Sequence, residues 1–245
     1  MLRLENISKN YGDSVQALKD ISFEAKKGEF IIVLGQSGSG KSTLLRCINR
    51  LVEPTSGKIF LDDEEITAAG TRELREIRSK IGMVFQDYNL VKRSSALTNV
   101  LSGSLGGVSP WFSLINYFYP AQREKALEIF EQLDLEKKVF QRASHLSGGQ
   151  QQRVGIGRAL MQRPSIILAD EPVSSLDPAS VKIIMETLRE INNRDGVTII
   201  CNLHLPELAK EYGHRIIGLK KGHIAFDGPV KDFIEDEEFY STANS

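Results

Sequence analysis

This sequence has almost no charge imbalance: 31 basic against 32 acidic residues leave a net charge of −1. The basic excess that marks a polyanion-binding surface is missing, so nucleic acid is not an expected partner. Cysteine is nearly absent too. Cys47 and Cys201 lie far apart in apolar segments, with no metal-ligand spacing and no disulfide framework, and read as reduced core thiols of a cytosolic protein. No uncharged apolar run approaches the roughly 20 residues needed to span a bilayer. The opening MLRLENISKNYG also lacks the apolar middle of a secretory signal, so the chain is expected not to cross a membrane by itself. No internal repeat or low-complexity linker breaks the text. What is present is a hydrophobic fraction of 41% over 245 residues, enough for a real core in one large α/β domain or two small ones.

The most informative stretch is an apolar run, Phe30-Ile31-Ile32-Val33-Leu34, followed by Gly35-Gln36-Ser37-Gly38-Ser39-Gly40-Lys41-Ser42 and a helix-compatible segment over 43–51. Strand, glycine loop and helix is the order a phosphate grip requires. Three glycines and two serines let successive backbone N–H groups converge on one anion, and the helix N-terminus adds its positive dipole end. This is a Walker A pattern, in which Lys41 reaches the β/γ-phosphates and the Ser42 hydroxyl sits on Mg²⁺. A second glycine loop opening a helix stands at Leu146-Ser147-Gly148-Gly149-Gln150, ahead of a helical segment over 154–161. By the same amide and dipole argument it is a second anion site, or, as a bare pattern, an N-cap at Ser147.

Ser165-Ile166-Ile167-Leu168-Ala169 reads as a strand buried on both faces, ending in Asp170-Glu171-Pro172. Two carboxylates then stand where the metal of the first loop would lie: Asp170 as its partner, Glu171 to orient and polarise an attacking water. Two more polar residues close buried strands, Gln86 after 81–85 and His204 after 196–203, at the edge where ligands collect in open α/β sheets. Asp177 falls near the start of another helix.

The remaining text gives the frame. Residues 1–30 alternate with period two in Leu2-Arg3-Leu4-Glu5-Asn6-Ile7 and Ile21-Ser22-Phe23-Glu24-Ala25, as in an antiparallel sheet. Tyr11, between them, either stacks on a purine or packs on the sheet edge. A strand follows at 58–62 and a charged helix at 71–80. Residues 88–145 turn helical with no strong β run and are expected to form an inserted helical subdomain. Within them Trp111, Phe112, Ile115 and Phe118 share a helical face, either packed internally or forming a docking patch. A helix over 123–135 places Ala126, Leu127, Phe130 and Leu133 on one side. The chain closes with a hairpin turning at Lys221-Gly222 and an acidic helix over 230–240.

Taken in order, Tyr11, the 35–42 loop, Gln86, the 146–150 loop, Ile166-Ile167-Leu168-Ala169-Asp170-Glu171, Ser175-Leu176-Asp177 and His204 resemble the nucleotide-binding subunit of an ABC transporter, over essentially the whole chain. The resemblance implies an α/β fold: a P-loop (RecA-like) core with a parallel sheet and an N-terminal antiparallel β subdomain over 1–87 and 146–245, with the helical subdomain inserted at 88–145. It implies a homodimer that sandwiches two ATP. Each nucleotide is then held by Tyr11, Gly35, Gln36, Ser37, Gly38, Ser39, Gly40, Lys41, Ser42 and Thr43 of one protomer, and by Ser147, Gly148, Gly149, Gln150 and Asp177 of the dimer interface. Mg²⁺ falls to Ser42, Gln86 and Asp170, and catalysis to Glu171, His204 and Lys41. Where many such proteins read Thr-His-Asp, this chain has Leu203-His204-Leu205. The stretch from Asn99 to Gly106 and the Trp-bearing segment after it look like the ATP-binding subunit of bacterial phosphonate importers, and phosphite importers are close to these. That likeness implies two integral-membrane permease subunits, a periplasmic or lipid-anchored solute-binding protein acting indirectly, and a place at the cytoplasmic face of the bacterial inner membrane. The competing readings are a soluble ABC ATPase accessory to a phosphonate-degrading complex and an importer subunit for another solute such as an amino acid.

Overall fold

The computed structural model describes residues 1–12, 14–107 and 118–234. Among the described residues ten strands form two sheets. β1 (Leu2–Tyr11), β2 (Val15–Ala25), β4 (Ser56–Leu61) and β5 (Glu64–Glu65) make an antiparallel sheet in the order β2-β1-β4-β5. The second sheet runs β10-β9-β3-β8-β7-β6, built from β3 (Phe30–Leu34), β6 (Ile81–Val84), β7 (Ile166–Asp170), β8 (Thr198–Leu203), β9 (Arg215–Lys220) and β10 (His223–Pro229). Its strands are parallel except for β10, which returns antiparallel along β9 through the turn at Lys221-Gly222.

The central strands are buried at every position, and apolar at nearly all of them, because both faces are covered. One face, with Phe30, Ile32, Leu34, Ile167, Ala169 and Ile199, packs on helices α3 (Ala96–Leu101), α4 (Pro120–Gln132), α5 (Gly148–Leu160) and α6 (Pro178–Asp195). The other, with Ile31, Val33, Leu168 and Ile200, packs on α1 (Lys41–Ile48), α2 (Thr71–Ser79) and the antiparallel sheet. A last short helix, α7 (Pro206–Tyr212), follows β8. Among the described residues, 88–145 contain helices, 3-10 turns and a single bridge between Ser95 and Arg142. Their Val100, Ile129 and Phe130 are continuous with the core formed by Val154, Ile156 and Phe30.

Three expectations differ from the structure. The helix expected at 123–135 starts at Pro120, whose fixed φ suits a first turn, and ends where Asp134 takes a positive φ of 51°. Its buried side carries Ala126, Ile129, Phe130 and Leu133, while Leu127 is 49% exposed, since one residue past Ala126 is a 100° turn away from the core. The acidic helix expected at 230–240 is, within the described residues, a 3-10 turn over Val230–Asp232. It stops so that Phe233 can bury itself edge-on against Phe226, ring centroids 5.2 Å apart. The rest of that segment, and Trp111, Phe112 and Ile115, lie outside the described residues; Phe118 is buried in the core.

Parallel register is what builds the site. Leu34 lies beside Leu203, Asp170 beside Asn202, and Val84 beside Ala169, so four strands end on one line. Gly35, Gln86, Glu171 and His204 each come one or two residues past that line.

Candidate functional site

The loop from Gly35 to Gly40 joins the end of β3 to the first turn of α1. Gly40, the residue before the helix, has a φ of +108°, and a Cβ there would stand 2.5 Å from the Ala17 carbonyl oxygen. Only glycine fits between that carbonyl and the helix start. No side chain caps α1, so its first N–H groups are left for a ligand.

Lys41 lies under this loop at 4% exposure. Its Nζ donates to the carbonyls of Gly35 at 2.8 Å and Gln36 at 3.0 Å, and stands 4.0 Å from a Glu171 carboxylate oxygen. Burial holds its pKa below the usual lysine range, opposed by the charges of Glu171 and Asp170. The Ser39 hydroxyl is buried and has no hydrogen-bond partner among the described residues. A buried ammonium bonded to loop carbonyls and an orphan hydroxyl beside it fit a loop shaped for an anion.

Next to the loop Ser42 Oγ donates to Asp170 Oδ1 at 2.7 Å, across 128 residues of sequence. Asn202 Nδ2 donates to the same oxygen at 2.8 Å, and the Arg46 guanidinium approaches Oδ2 at 3.5 Å. A hydroxyl and a carboxylate, with the Gln86 amide in the same cleft, are hard oxygen donors. They are few, and this suits Mg²⁺, which keeps several waters and takes one or two carboxylates.

Glu171 follows Asp170 in a left-handed conformation, φ 49°, and its Oε1 meets His204 Nε2 at 2.6 Å. His204 Nδ1 is 3.3 Å from Lys41 Nζ. The same Nδ1 is also 3.3 Å from the Gly35 carbonyl oxygen, so a proton on Nε2 suits Glu171 and Lys41, while a proton on Nδ1 suits Gly35.

These groups line one open cleft of about 320 Å³ that holds Ser37, Gly38, Gly40, Lys41, Ser42, Thr43, Gln86, Glu171 and His204, with Ala17 closing one side. The carbonyls of Gly35 and Gln36 lie beneath it. The other expected residues stand elsewhere. Tyr11 ends β1, 45% exposed, with the Lys9 ammonium 5.1 Å from its ring centroid. Ser147 caps α5 in a capping box with Gln150. Asp177 caps α6 through the Ser180 amide at 3.0 Å and hydroxyl at 2.6 Å, bonds that hold its carboxyl below the usual range. The two caps are neighbours: a methyl added to Gly149 would meet the Ser180 hydroxyl at 2.7 Å, and one on Gly148 would meet the Tyr88 hydroxyl at 2.9 Å. Within one chain, then, the second glycine loop adjoins Asp177 and is not part of the cleft's lining.

Sequence reasoning missed three residues. Arg158 donates to the carbonyls of Tyr88 and Asn89, fixing two successive positive-φ residues just after Gln86. Arg46 and Asn202 both hold Asp170. Only Asn202 left a trace in the text, as a polar residue inside an otherwise apolar strand.

A family model described as ABC transporter matches residues 18–174. Among curated proteins the chain is similar to the phosphonates import ATP-binding protein PhnC 3 of Halalkalibacterium halodurans, 48% identical over 98% of this chain and 94% of that one. It is 50% identical to the phosphonates import ATP-binding protein PhnC of Lactobacillus johnsonii, over 95% and 91%. Among solved structures it is similar to the ATP-binding cassette MJ0796, a dimer in a post-hydrolysis state bound to ADP and Pi, with TM-score 0.81, 37% identity and coverage of 95% and 100%. The ADP conformation of the cassette MJ1267 matches with TM-score 0.85 at 31% identity, over 98% of each chain.

Proposed function

The chain belongs to the ABC transporter family, and from that premise we propose that it is the ATP-hydrolysing subunit of an importer for a phosphonate or a related phosphorus oxyanion such as phosphite. The observation that carries the ATPase reading is the convergence, at one cleft, of the Lys41 loop, Ser42 with the buried Asp170 bonded behind it, and the Glu171–His204 pair. The cargo assignment is supported by full-length similarity to phosphonate import ATP-binding proteins from several bacteria.

In this reading Gly35 to Thr43 wrap the phosphates of ATP with backbone N–H groups, and Lys41 exchanges its two loop carbonyls for phosphate oxygens. Ser42, Asp170 and Gln86 hold Mg²⁺, which when bound neutralises charge on the β- and γ-phosphates. Glu171 polarises the attacking water, and His204 holds the Glu171 carboxylate in place until the γ-phosphate arrives. Tyr11 stacks on the adenine. Ser147, Gly148, Gly149 and Gln150, with Asp177 beside them, serve the nucleotide held by a second copy of the chain. Their separation from the cleft within one protomer supports that division. Stabilisation of the charge spreading over the γ-phosphoryl oxygens is then shared between two chains.

We read 88–145 as the inserted helical subdomain through which dimer closure reaches two membrane-spanning permease subunits, with a solute-binding protein acting on them from the other side. Among the described residues no helix is long and apolar enough to cross a membrane, which suits a peripheral subunit at the cytoplasmic face of the inner membrane. The test is reconstitution with its permease subunits and solute-binding protein in vesicles. ATP-dependent accumulation of a labelled phosphonate is expected. Accumulation of an amino acid instead, or isolation of the chain with soluble carbon–phosphorus-cleaving components and no permease, overturns the cargo or the transport assignment.

A further inference from the structure

Strand β8 carries a residue whose placement the activity above does not explain. Asn202 is completely buried, on the sheet face that Ile200, Leu168 and Val33 otherwise make apolar. An amide in such a layer costs free energy unless both of its ends are bonded. Here only one is: Nδ2 donates to Asp170 Oδ1 at 2.8 Å, and Oδ1 has no partner among the described residues. Exchanging the two ends of the amide would set its oxygen against the Asp170 carboxylate, acceptor against acceptor, so the nitrogen must face Asp170. A leucine at this position would fill the strand without an orphan oxygen, as Leu168 does on the neighbouring strand. The amide is therefore a net burden on folding that the bond to Asp170 does not fully offset.

What the bond does is geometric. Asp170 Oδ1 is shared by the Ser42 hydroxyl and the Asn202 amide, one from the helix above the sheet and one from the adjacent strand. Two donors from separate elements fix the carboxylate's plane in the ligand-free protein. Two residues further along the chain from Asn202, His204 fixes Glu171 through Nε2. One strand and the residue just past its end thus hold both carboxylates at the end of β7, and a shift of β8 would move the two together.

Building on the reading of Ser42 and Asp170 as the Mg²⁺ pair, we propose that Asn202 is a positioning residue for that cation site, holding Asp170 in the orientation the ion requires. Groups that orient a ligating carboxylate through a hydrogen bond typically change metal affinity by roughly 10- to 100-fold when removed.

The test compares wild type with Asn202→Leu, which keeps the branched side-chain skeleton, with somewhat more bulk, and removes the donor. Mn²⁺ is the probe, titrated into the ADP complex and followed by electron paramagnetic resonance, with Mn–ADP formed in buffer subtracted. ADP affinity measured in EDTA is the control for an intact loop. The expected result is ADP binding in EDTA like wild type, Mn²⁺ affinity weakened roughly 10- to 100-fold, and a matching rise in the Mg²⁺ concentration for half-maximal hydrolysis. If Asn202→Leu does not bind ADP in EDTA, Asn202→Ala is measured in its place. Unchanged Mn²⁺ affinity overturns the proposal, including the case where only the melting temperature moves. Failure of wild type itself to take up Mn²⁺ with ADP present would instead defeat the underlying assignment of Ser42 and Asp170.

Discussion

Alanine at Gly40 should cost the ligand-free protein much more than alanine at Gly38, although both residues have left-handed backbones two positions apart in the same loop. Gly38, at φ +79°, has nothing within 4 Å of the position a methyl group would take. The substitution there carries only the backbone penalty of an L-residue, about 1–2 kcal/mol. Gly40, at φ +108°, carries a similar penalty and also drives a methyl to 2.5 Å from the Ala17 carbonyl oxygen and 2.9 Å from Leu18 Cδ2. That is about 1 Å inside ordinary van der Waals contact with a backbone atom, which cannot rotate away as a side chain can. Overpacking of this kind adds about 1–3 kcal/mol, so the total is roughly 2–5 kcal/mol. For a chain of this size 1 kcal/mol moves the melting temperature by about 2–4 °C, giving a drop of about 2–8 °C for Gly38→Ala and roughly 4–20 °C for Gly40→Ala. Differential scanning calorimetry without nucleotide measures both, and ADP titration in EDTA should show the Gly40 variant losing binding as its loop is pushed off the helix start. Equal melting temperatures for the two variants would refute the reasoning, because it would mean the contact between the loop and β2 does not constrain the helix start.

Three further outcomes follow from the same cleft. Glu171→Gln keeps the contact distance to His204 but cannot accept a proton, so it should bind Mg-ATP, form a stable dimer by light scattering and turn over about 10²- to 10⁴-fold more slowly. Burial lowers the pKa of Lys41 in the folded chain below its ordinary value of 10.5, so between that lowered value and 10.5 the unfolded chain binds more protons. The stability of wild type relative to Lys41→Met should therefore rise as pH climbs through that window and stay flat below it; urea titrations of the pair showing a fall would contradict the buried ammonium. Lys41→Ala should leave the fold intact by circular dichroism but lose productive ATP binding, since among the described residues no other lysine or arginine lines the cleft.

Much of this site could be read in the text because its parts are local. The glycine loop between an apolar strand and a helix, and the two carboxylates closing a buried strand, are patterns of fewer than a dozen residues whose backbone needs are written in the residues themselves. Pairings set by register were beyond reach. The motifs brought Ser42 and Asp170 to one cation, but nothing in Thr198-Ile199-Ile200-Cys201-Asn202-Leu203 says that Asn202 will stand beside Asp170 and not on the other sheet face. The order β9-β3-β8-β7-β6 decides that. Leu127 was misplaced for a related reason, since a helix with apolar residues on several sides does not name its buried face until its neighbours are known. Within the described residues, the start of the helix expected after residue 230 is a 3-10 turn ahead of the buried ring of Phe233, a gain invisible in the acidic residues around it.

The central claim is that ATP is held between the Lys41 loop of one chain and the Ser147 loop of another. Cys47 and Cys201 are buried, with their thiols pushed up by burial, Cys47 to about 12, so introduced cysteines can be read against an inert background. Ser37 and Ser147 are both exposed. Mixing Ser37→Cys and Ser147→Cys chains, each carrying Glu171→Gln, with Mg-ATP and a short thiol crosslinker should give a covalent dimer that does not form without nucleotide. A protein that hydrolyses ATP at full rate as wild type while this pair never crosslinks would contradict the account.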